Sequence, residues 1–253
     1  CQACYVFSRK LTMIDLKLDV HTHTVASGHA YSTIEEMARA AADKGLELLG
    51  ITEHGPSIPG TCDPLYFMNM HVVPRRMYGI ELMLGAEVDI IDYDGNIDLG
   101  MPHLDRLDLT IAGIHKQCYT PGTVDENTSA VIGAIRNPQV DIISHPADGA
   151  AIVDFESIVR AAAENGTLLE INNHSLAPAR NLTAARDNNI ELLKLCRRYD
   201  LPVILGSDAH ISFDIGRHDR LDELIELVGF PVELIVNRSV DIFKGTLKKR
   251  LIR

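Results

Sequence analysis

Along the chain, short apolar runs alternate with longer stretches in which apolar positions recur every three or four residues. The runs Leu16–Val20, Leu48–Thr52, Leu82–Asp89, Leu109–Ile114, Val140–Ser144, Thr167–Ile171 and Leu201–Gly206 are rich in β-branched residues and read as buried strands. Between them, Thr33–Lys44, Thr128–Arg136, Asp154–Asn165, Asp187–Tyr199 and Asp219–Val228 carry the helical period. Several open on a Ser, Thr or Asp, whose side chain can cap the free N–H groups of a first turn. Regular alternation of strand and helix predicts an α/β fold with a parallel sheet and helices outside, and seven strands come close to closing a barrel. After Pro231, Val232–Val236 is a further strand candidate and Val240–Leu251 a closing helix with a basic end, favourable near a helix C-terminus. The Pro- and Gly-rich loop from Gly55 to Pro64 is too long for a tight turn and is a candidate rim or lid.

Composition narrows the class. A chain of 253 residues, 46% hydrophobic, is enough for one sizeable core, so residues 13–253 are expected to form a single domain. A net charge of −11 argues against partners held by an excess of Lys and Arg, which sets aside the membrane surface and stable nucleic-acid binding. An acidic protein that handles an anion needs a local source of positive charge, and bound divalent metals can be one. The five cysteines, Cys1, Cys4, Cys62, Cys118 and Cys196, are odd in number and irregular in spacing, so neither a disulfide framework nor a four-cysteine zinc module is expected. A reducing, cytoplasmic compartment fits. No apolar run approaches the ~20 residues of a membrane span, and no secretory apolar stretch opens the chain. Residues 1–12, with Cys1, Cys4, Arg9 and Lys10 ahead of Met13, read as an appendage or mis-called start rather than as a small CxxC site.

The placement of the eleven histidines points to chemistry. His21 and His23 end the first strand, His54 follows the second, His115 the fourth and His145 the fifth, Asp208 and His210 follow the seventh, and Glu87 lies near the end of the third. In a parallel barrel all strand C-termini open on one rim, so these residues converge there. His21-x-His23 and Asp208-x-His210 each place two metal-ligating groups on one face. Imidazole nitrogen with carboxylate oxygen suits zinc, with manganese or iron as competitors. Glu87, within Gly85-Ala-Glu87-Val-Asp89, has two oxygens and can bridge two metals. Asp19, Glu53 and Asp89, one or two residues from these positions, are candidates to orient the imidazoles as hydrogen-bond acceptors. His71, His103 and His218 fit no such pattern. Cys118 is assigned a structural role.

Taken together, His21-x-His23, His29, Thr52-Glu53-His54, Gly85-x-Glu87, Gly113-x-His115, Ser144-His145-Pro146 and Ser207-Asp208-Ala-His210 resemble the ordered motifs of the PHP (polymerase and histidinol phosphatase) family. The resemblance spans about residues 15 to 237, and the compact layout is most similar to the YcdX-like phosphatase branch. It implies a distorted TIM-like (β/α)7 barrel holding three divalent metal ions. By motif, one ion falls to His21, His23, Glu87 and Asp208, a second to Glu87, His115 and His145, and a third to His29, His54 and His210. Glu87, Asp208 and His210 carry the catalytic role, and homotrimers occur among similar phosphatases.

The expected activity is hydrolysis of small-molecule phosphate monoesters by a metal-bridging hydroxide, without a protein nucleophile. Lys116, Arg180 and Arg217 are the basic side chains placed to hold the phosphate, the two arginines being suited to bidentate contact. His174 is read as a loop cap ahead of a leaving-group acid. Competing readings are a small-nucleotide phosphodiesterase or nuclease, disfavoured by charge and by the lack of room for a polymerase domain, and a histidinol-phosphate phosphatase. A non-catalytic metal-binding module is a different class, which the complete ligand set argues against. Amidohydrolase barrels share His-x-His and a late Asp, but their metal scheme has no place for His29, Glu87 and His210.

Overall fold

The computed structural model describes residues 14–180 and 184–248. Eight strands form one sheet: β1 (Leu18–Asp19), β2 (Leu48–His54), β3 (Arg76–Met77), β4 (Ile80–Asp89), β5 (Leu109–Gly113), β6 (Ile142–Ile143), β7 (Leu168–Asn172) and β8 (Val203–Gly206). The order is β1-β2-β4-β5-β6-β7-β8 with every neighbouring pair parallel, and β3 is a short antiparallel addition to β4. All seven strands expected from the sequence are present, β1 and β6 trimmed to two residues each.

The helices are α1 (Ile34–Asp43), α2 (Leu65–Asn69), α3 (Val124–Arg136), α4 (Phe155–Asn165), α5 (Ala185–Arg198), α6 (Asp219–Val228) and α7 (Val240–Thr246). α1 and α3 both begin with a complete capping box, Thr33 with Glu36 and Thr123 with Glu126. That box starts α3 earlier than its apolar period suggests, because the first turn is polar. The short α2 and β3 lie within a connection that has no periodic signal.

Strand alternation divides the core into two layers. Residues such as Leu49, Ile51, Leu82, Leu84, Val88, Leu169, Ile171 and Leu205 pack outward into the main cluster, with Met37, Ile135, Ile158 and Leu192 from the helices. Leu48, Met83, Leu109, Ile111, Leu168 and Ile204 face inward, and Phe243 of α7 and Val236 join them in the inner cluster. Moving up the strands by two residues keeps the inward face. From Met83 it leads to Gly85, Glu87 and Asp89, from Leu168 to Glu170 and Asn172, and from Leu48 to Thr52 and His54. The barrel is thus greasy at one end and polar at the rim. At Gly85 there is room for no side chain, since an added Cβ would lie 2.3 Å from the carbonyl oxygen of Leu109.

The ring closes through a seam rather than a ladder. Thr22 forms a single parallel bridge with Ala209, and the His23 N–H donates to the Ala209 carbonyl at 2.9 Å. Below that bridge the fully buried Asn237 is inserted between β1 and β8. Its Nδ2 donates to the carbonyls of Leu18 (3.2 Å) and Leu205 (2.8 Å), and its Oδ1 accepts from the Leu205 N–H at 2.7 Å. This side-chain amide does the work of a strand edge, and it corrects the expectation of a strand over Val232–Val236. Val232–Leu234 and Val236–Arg238 are single 3-10 turns that deliver Asn237, and only Ile235 bridges to Val203. The closing helix is capped by Ser239 and ends at Thr246. Part of its expected extent to Leu251, and the appendage at 1–12, lie outside the described residues. Among the described residues, no helix is long and apolar enough to cross a membrane.

Asn237→Ala removes three hydrogen bonds and leaves buried main-chain groups unpaired, so a loss of about 2–4 kcal/mol is expected in denaturant unfolding of the metal-free protein. A loss of only a few tenths of a kcal/mol would show that the seam is not held by this side chain.

Candidate metal centre

The strand ends bring one carboxylate into the middle of a ring of imidazoles. Glu87 is fully buried. Its Oε2 lies 3.3 Å from His21 Nε2, 3.4 Å from His23 Nε2 and 3.0 Å from His54 Nδ1. Its Oε1 lies 2.9 Å from His145 Nε2 and 3.5 Å from His115 Nε2. The two oxygens therefore face different sets of rings. Asp208 Oδ1 stands 3.6 Å from His21 Nε2, 3.3 Å from His23 Nε2 and 3.4 Å from His210 Nδ1. His29 is exposed, and its ring lies 4.9 Å from those of His54 and His210, stacked on the former. All nine expected ligand residues thus fall in one patch. Candidate ligand groups within it include His21, His23 and Asp208; His21, Glu87 and His145; His54, Glu87 and His115; and His23, His54 and His210, with Asp89, His115 and Cys118 at its edge.

Two of these residues reach the patch by leaving regular strand geometry. By alternation from Ile142, Ser144 would face inward and His145 outward, but His145 has φ +32°. Asp208 has φ +53°, and its carbonyl accepts from His210 Nδ1 at 3.0 Å and from His174 Nδ1 at 3.3 Å. The left-handed backbone of a non-glycine residue costs of order 1–3 kcal/mol and clusters at functional sites. β1 similarly ends at Asp19, so the expected strand face through His23 is not regular strand.

Behind the rings stand acceptors that fix which nitrogen carries the proton. His21 Nδ1 donates to Glu170 Oε1 at 2.7 Å and His115 Nδ1 to Asp89 Oδ1 at 2.6 Å, which turns both Nε2 lone pairs toward Glu87. His23 Nδ1 meets Ser27 Oγ at 3.3 Å, and Ser27 donates to Glu53 Oε2 at 2.6 Å. Glu53 therefore acts on His23 through a serine, with Thr24 also donating to it. Asp19 takes a different place: it accepts from Ser207 and from the Gly216 N–H, bracing the loop after β8. Glu170 and Ser27 were not read from the sequence. The available signal for Glu170 was a lone acid at an inward position of an otherwise apolar strand.

Do these residues suit a cation? His21 Nε2, His23 Nε2, His54 Nδ1 and Glu87 Oε2 are buried and have no hydrogen-bond partner. Each such atom costs about 1–3 kcal/mol if left unpaired. Buried carboxylates crowd the patch: Glu53, Glu87, Asp89, Glu170 and Asp208, with Asp148 3.7 Å from His145 Nδ1. Among the described residues, no Lys or Arg ion pair involves any of them. Converging lone pairs with uncompensated negative charge fit divalent cations.

Without a metal, protons must balance that charge. Burial disfavours charged imidazole at His21, but Glu170, Glu87 and Asp208 hold it well above its ordinary range. At His115, burial is likewise outweighed by Glu87 and Asp89, and the ring is pushed up to about 10. Burial opposes ionisation of Glu87, yet His21 and His115 hold it well below the usual carboxylate range; at Asp208, His21 and His23 do the same. Burial and the neighbouring His54 keep His23 neutral.

The remaining sequence candidates lie at the periphery. Lys116 and Arg180 are exposed on the rim, while Arg217 is exposed but tied to Asp219 at 2.8 Å and Asp214 at 3.1 Å. His174 is packed 5.6 Å from His210, ring to ring. The Gly55–Pro64 loop is pinned at the rim, with Ile58 buried, the Ser57 N–H donating to Asp98 and Thr61 Oγ1 donating to the His54 carbonyl. Burial, with Asp89 adding to it, pushes the Cys118 thiol up, which suits a structural role.

A nearly closed parallel barrel with a histidine and carboxylate cluster at the C-terminal rim is the architecture of a metal-dependent hydrolase. The PHP domain model matches residues 19–233, and the chain belongs to the PHP domain family. It is 46% identical over 233 residues to a probable phosphatase of Caldicellulosiruptor saccharolyticus, covering 92% of this chain and 96% of that one. A probable phosphatase of Acetivibrio thermocellus is 42% identical, with 92% and 95% covered. Among solved structures, the histidinol phosphate phosphatase of Lactococcus lactis, complexed with zinc, L-histidinol and phosphate, shares the fold at a TM-score of 0.57. Its sequence identity is 20%, and 85% of this chain and 95% of that one are covered.

Zn²⁺ uptake by the metal-free protein at neutral pH is expected to displace protons from His21, His115 and His145, which, despite burial, neighbouring carboxylates hold above the ordinary imidazole range. Calorimetric titration in buffers of different ionisation enthalpy should report net proton release, and affinity should rise with pH; uptake without proton release would refute the assignment. The signs for metal-free stability follow. Raised His115 contributes below its ordinary value and loses that contribution as pH climbs to about 10, whereas depressed Glu87 and Asp208 contribute above the carboxylate range and lose it as pH falls.

Proposed function

We propose that the protein is a metal-dependent phosphatase that hydrolyses phosphate monoesters of small molecules at a three-metal, zinc-type centre. The observation that carries this reading is Glu87, whose two oxygens face separate groups of imidazoles as a carboxylate bridging two cations must. The names of the relatives supply the phosphatase class, and zinc and phosphate bound together in the Lactococcus protein supply a precedent on the same fold.

Divalent ions at such a centre would neutralise phosphoryl oxygens and lower the pKa of water toward neutrality. The protein's own groups do the rest. Glu87 and Asp208, with His21 and His23, would hold one ion; Glu87 with His115 and His145 would hold the next; His29, His54 and His210 would hold the third, at the most open end of the patch, where His29 is exposed. Acceptors on Nδ1 keep the rings of His21 and His115 from rotating away. Lys116 and Arg180, exposed and in no ion pair among the described residues, are the cations for the remaining phosphate oxygens. Arg217 would have to release Asp214 and Asp219 to join them. The attacking group in this reading is water activated at the centre rather than a side chain.

After loading with Zn²⁺ or Mn²⁺, the protein is expected to release phosphate from p-nitrophenyl phosphate faster than it cleaves bis-p-nitrophenyl phosphate. Glu87→Gln should lower kcat/KM by at least about 100-fold, and Arg180→Ala should chiefly raise KM, by about tenfold. Preference for the diester would favour a small-nucleotide phosphodiesterase. Metal uptake without turnover of either would favour a binding module.

A further inference from the structure

Glu170 stands outside the nine residues of the centre, yet both of its oxygens are committed to it. Oε1 accepts from His21 Nδ1 at 2.7 Å, while Oε2 accepts from the backbone N–H of His145 at 2.8 Å and from Asn172 Nδ2 at 3.0 Å. The first contact leaves the His21 Nε2 lone pair facing Glu87 and Asp208. The second holds the N–H of a residue whose backbone is in the left-handed region, φ +32°, a conformation that persists only where its surroundings enforce it. His21 and His145 face opposite oxygens of Glu87, so one buried carboxylate braces ligands on both sides of the bridge.

Space for that carboxylate is made from the neighbouring strand. A Cβ on Gly206, the last residue of β8, would lie 1.7 Å from Glu170 Oε1 and 2.6 Å from its Cδ. Gly206 has to be glycine for the carboxylate to stand where both contacts can form.

We propose that Glu170 is a positioning residue that sets the tautomer of His21 and the backbone of His145 together, with Gly206 providing its room. This rests on the metal reading of the cluster. Glu170→Gln keeps the size of the side chain but offers only one accepting oxygen. If that oxygen keeps the His145 N–H, the amide NH2 faces His21 Nδ1 and drives the ring proton to Nε2, the atom aimed at Glu87. The role is in metal alignment, so its signature is in metal binding rather than in turnover alone.

The test is zinc affinity of the full chain, read by competition with a chromophoric chelator, alongside the visible absorption of the Co²⁺-loaded protein and circular dichroism of the metal-free form. Glu170→Gln is expected to weaken zinc binding about 10–100-fold and to alter the Co²⁺ spectrum while the metal-free fold is kept. Gly206→Ala, which removes no hydrogen-bonding group, should weaken zinc binding comparably by displacing the carboxylate. In a Glu170→Ala background the same glycine substitution should add nothing, because the new methyl then meets no carboxylate. Wild-type zinc affinity in Glu170→Gln, or full additivity of the Gly206 and Glu170 substitutions, would overturn the proposal while leaving the metal centre standing. A wild-type protein that takes up no zinc would instead overturn the metal reading and this proposal with it.

Discussion

The constraint on which the structure depends is the burial of the Glu87 carboxylate among imidazoles. A lone ionised carboxylate taken out of water costs several kcal/mol even after relaxation, and further buried carboxylates crowd the same rim. Such a concentration of negative charge is stable only with cations in its midst, whether protons on His21 and His115 or divalent metal ions. Protons and metals compete for the same lone pairs. The protein's affinity for metal is therefore linked to the fold's need to balance its own buried charge.

The barrel meets this demand by separating its interior into layers. The inner cluster of Leu48, Met83, Leu109, Leu168 and Ile204, closed by Phe243, supplies burial at one end and leaves the opposite rim free for polar groups. Parallel strands put all their C-terminal ends at that rim, so that His54 and Glu87 enter from β2 and β4 themselves and the other ligands from the segments just beyond the strands. Where regular geometry would aim a side chain away, the backbone is bent instead, at His145 and Asp208, and a hydrogen bond from the His145 N–H to Glu170 and one from His210 Nδ1 to the Asp208 carbonyl accompany those bends. The seam at β1 and β8 serves the same end. Asn237 fastens the two strands below the site, while Thr22 and His23 join Ala209 beside it.

Most of the architecture was legible in the sequence because strands buried on both faces carry little else than apolar residues, and most of the expected ligands sit at or just after their C-terminal ends. What was not legible came from groups whose role is defined only by a partner distant in sequence. Glu170 lies 149 positions from His21 and looks like any acid in a strand until the ring is closed. Asn237 is separated from Leu18 by 219 positions, and its amide replaces a ladder that Val232–Val236 was expected to supply. Ser27 relays Glu53 to His23 across a local turn that carries no apolar period. The rim arginines illustrate the converse. Arg180 and Arg217 both follow a late strand, but Arg217 has acids on either side in sequence and the structure shows it occupied by both of them, Asp214 and Asp219.

The family places this chain among PHP domain proteins, and the arrangement around Glu87 makes the number of bound cations the quantity that decides the account. Elemental analysis of the purified protein, after repletion with Zn²⁺ and removal of loosely held ions, measures it directly. Nearly three ions per chain, falling by about two in Glu87→Ala as both bridged positions are lost, is the expected result. One ion or none in the wild-type protein would contradict the bridging role of Glu87 and the third position at His29, His54 and His210.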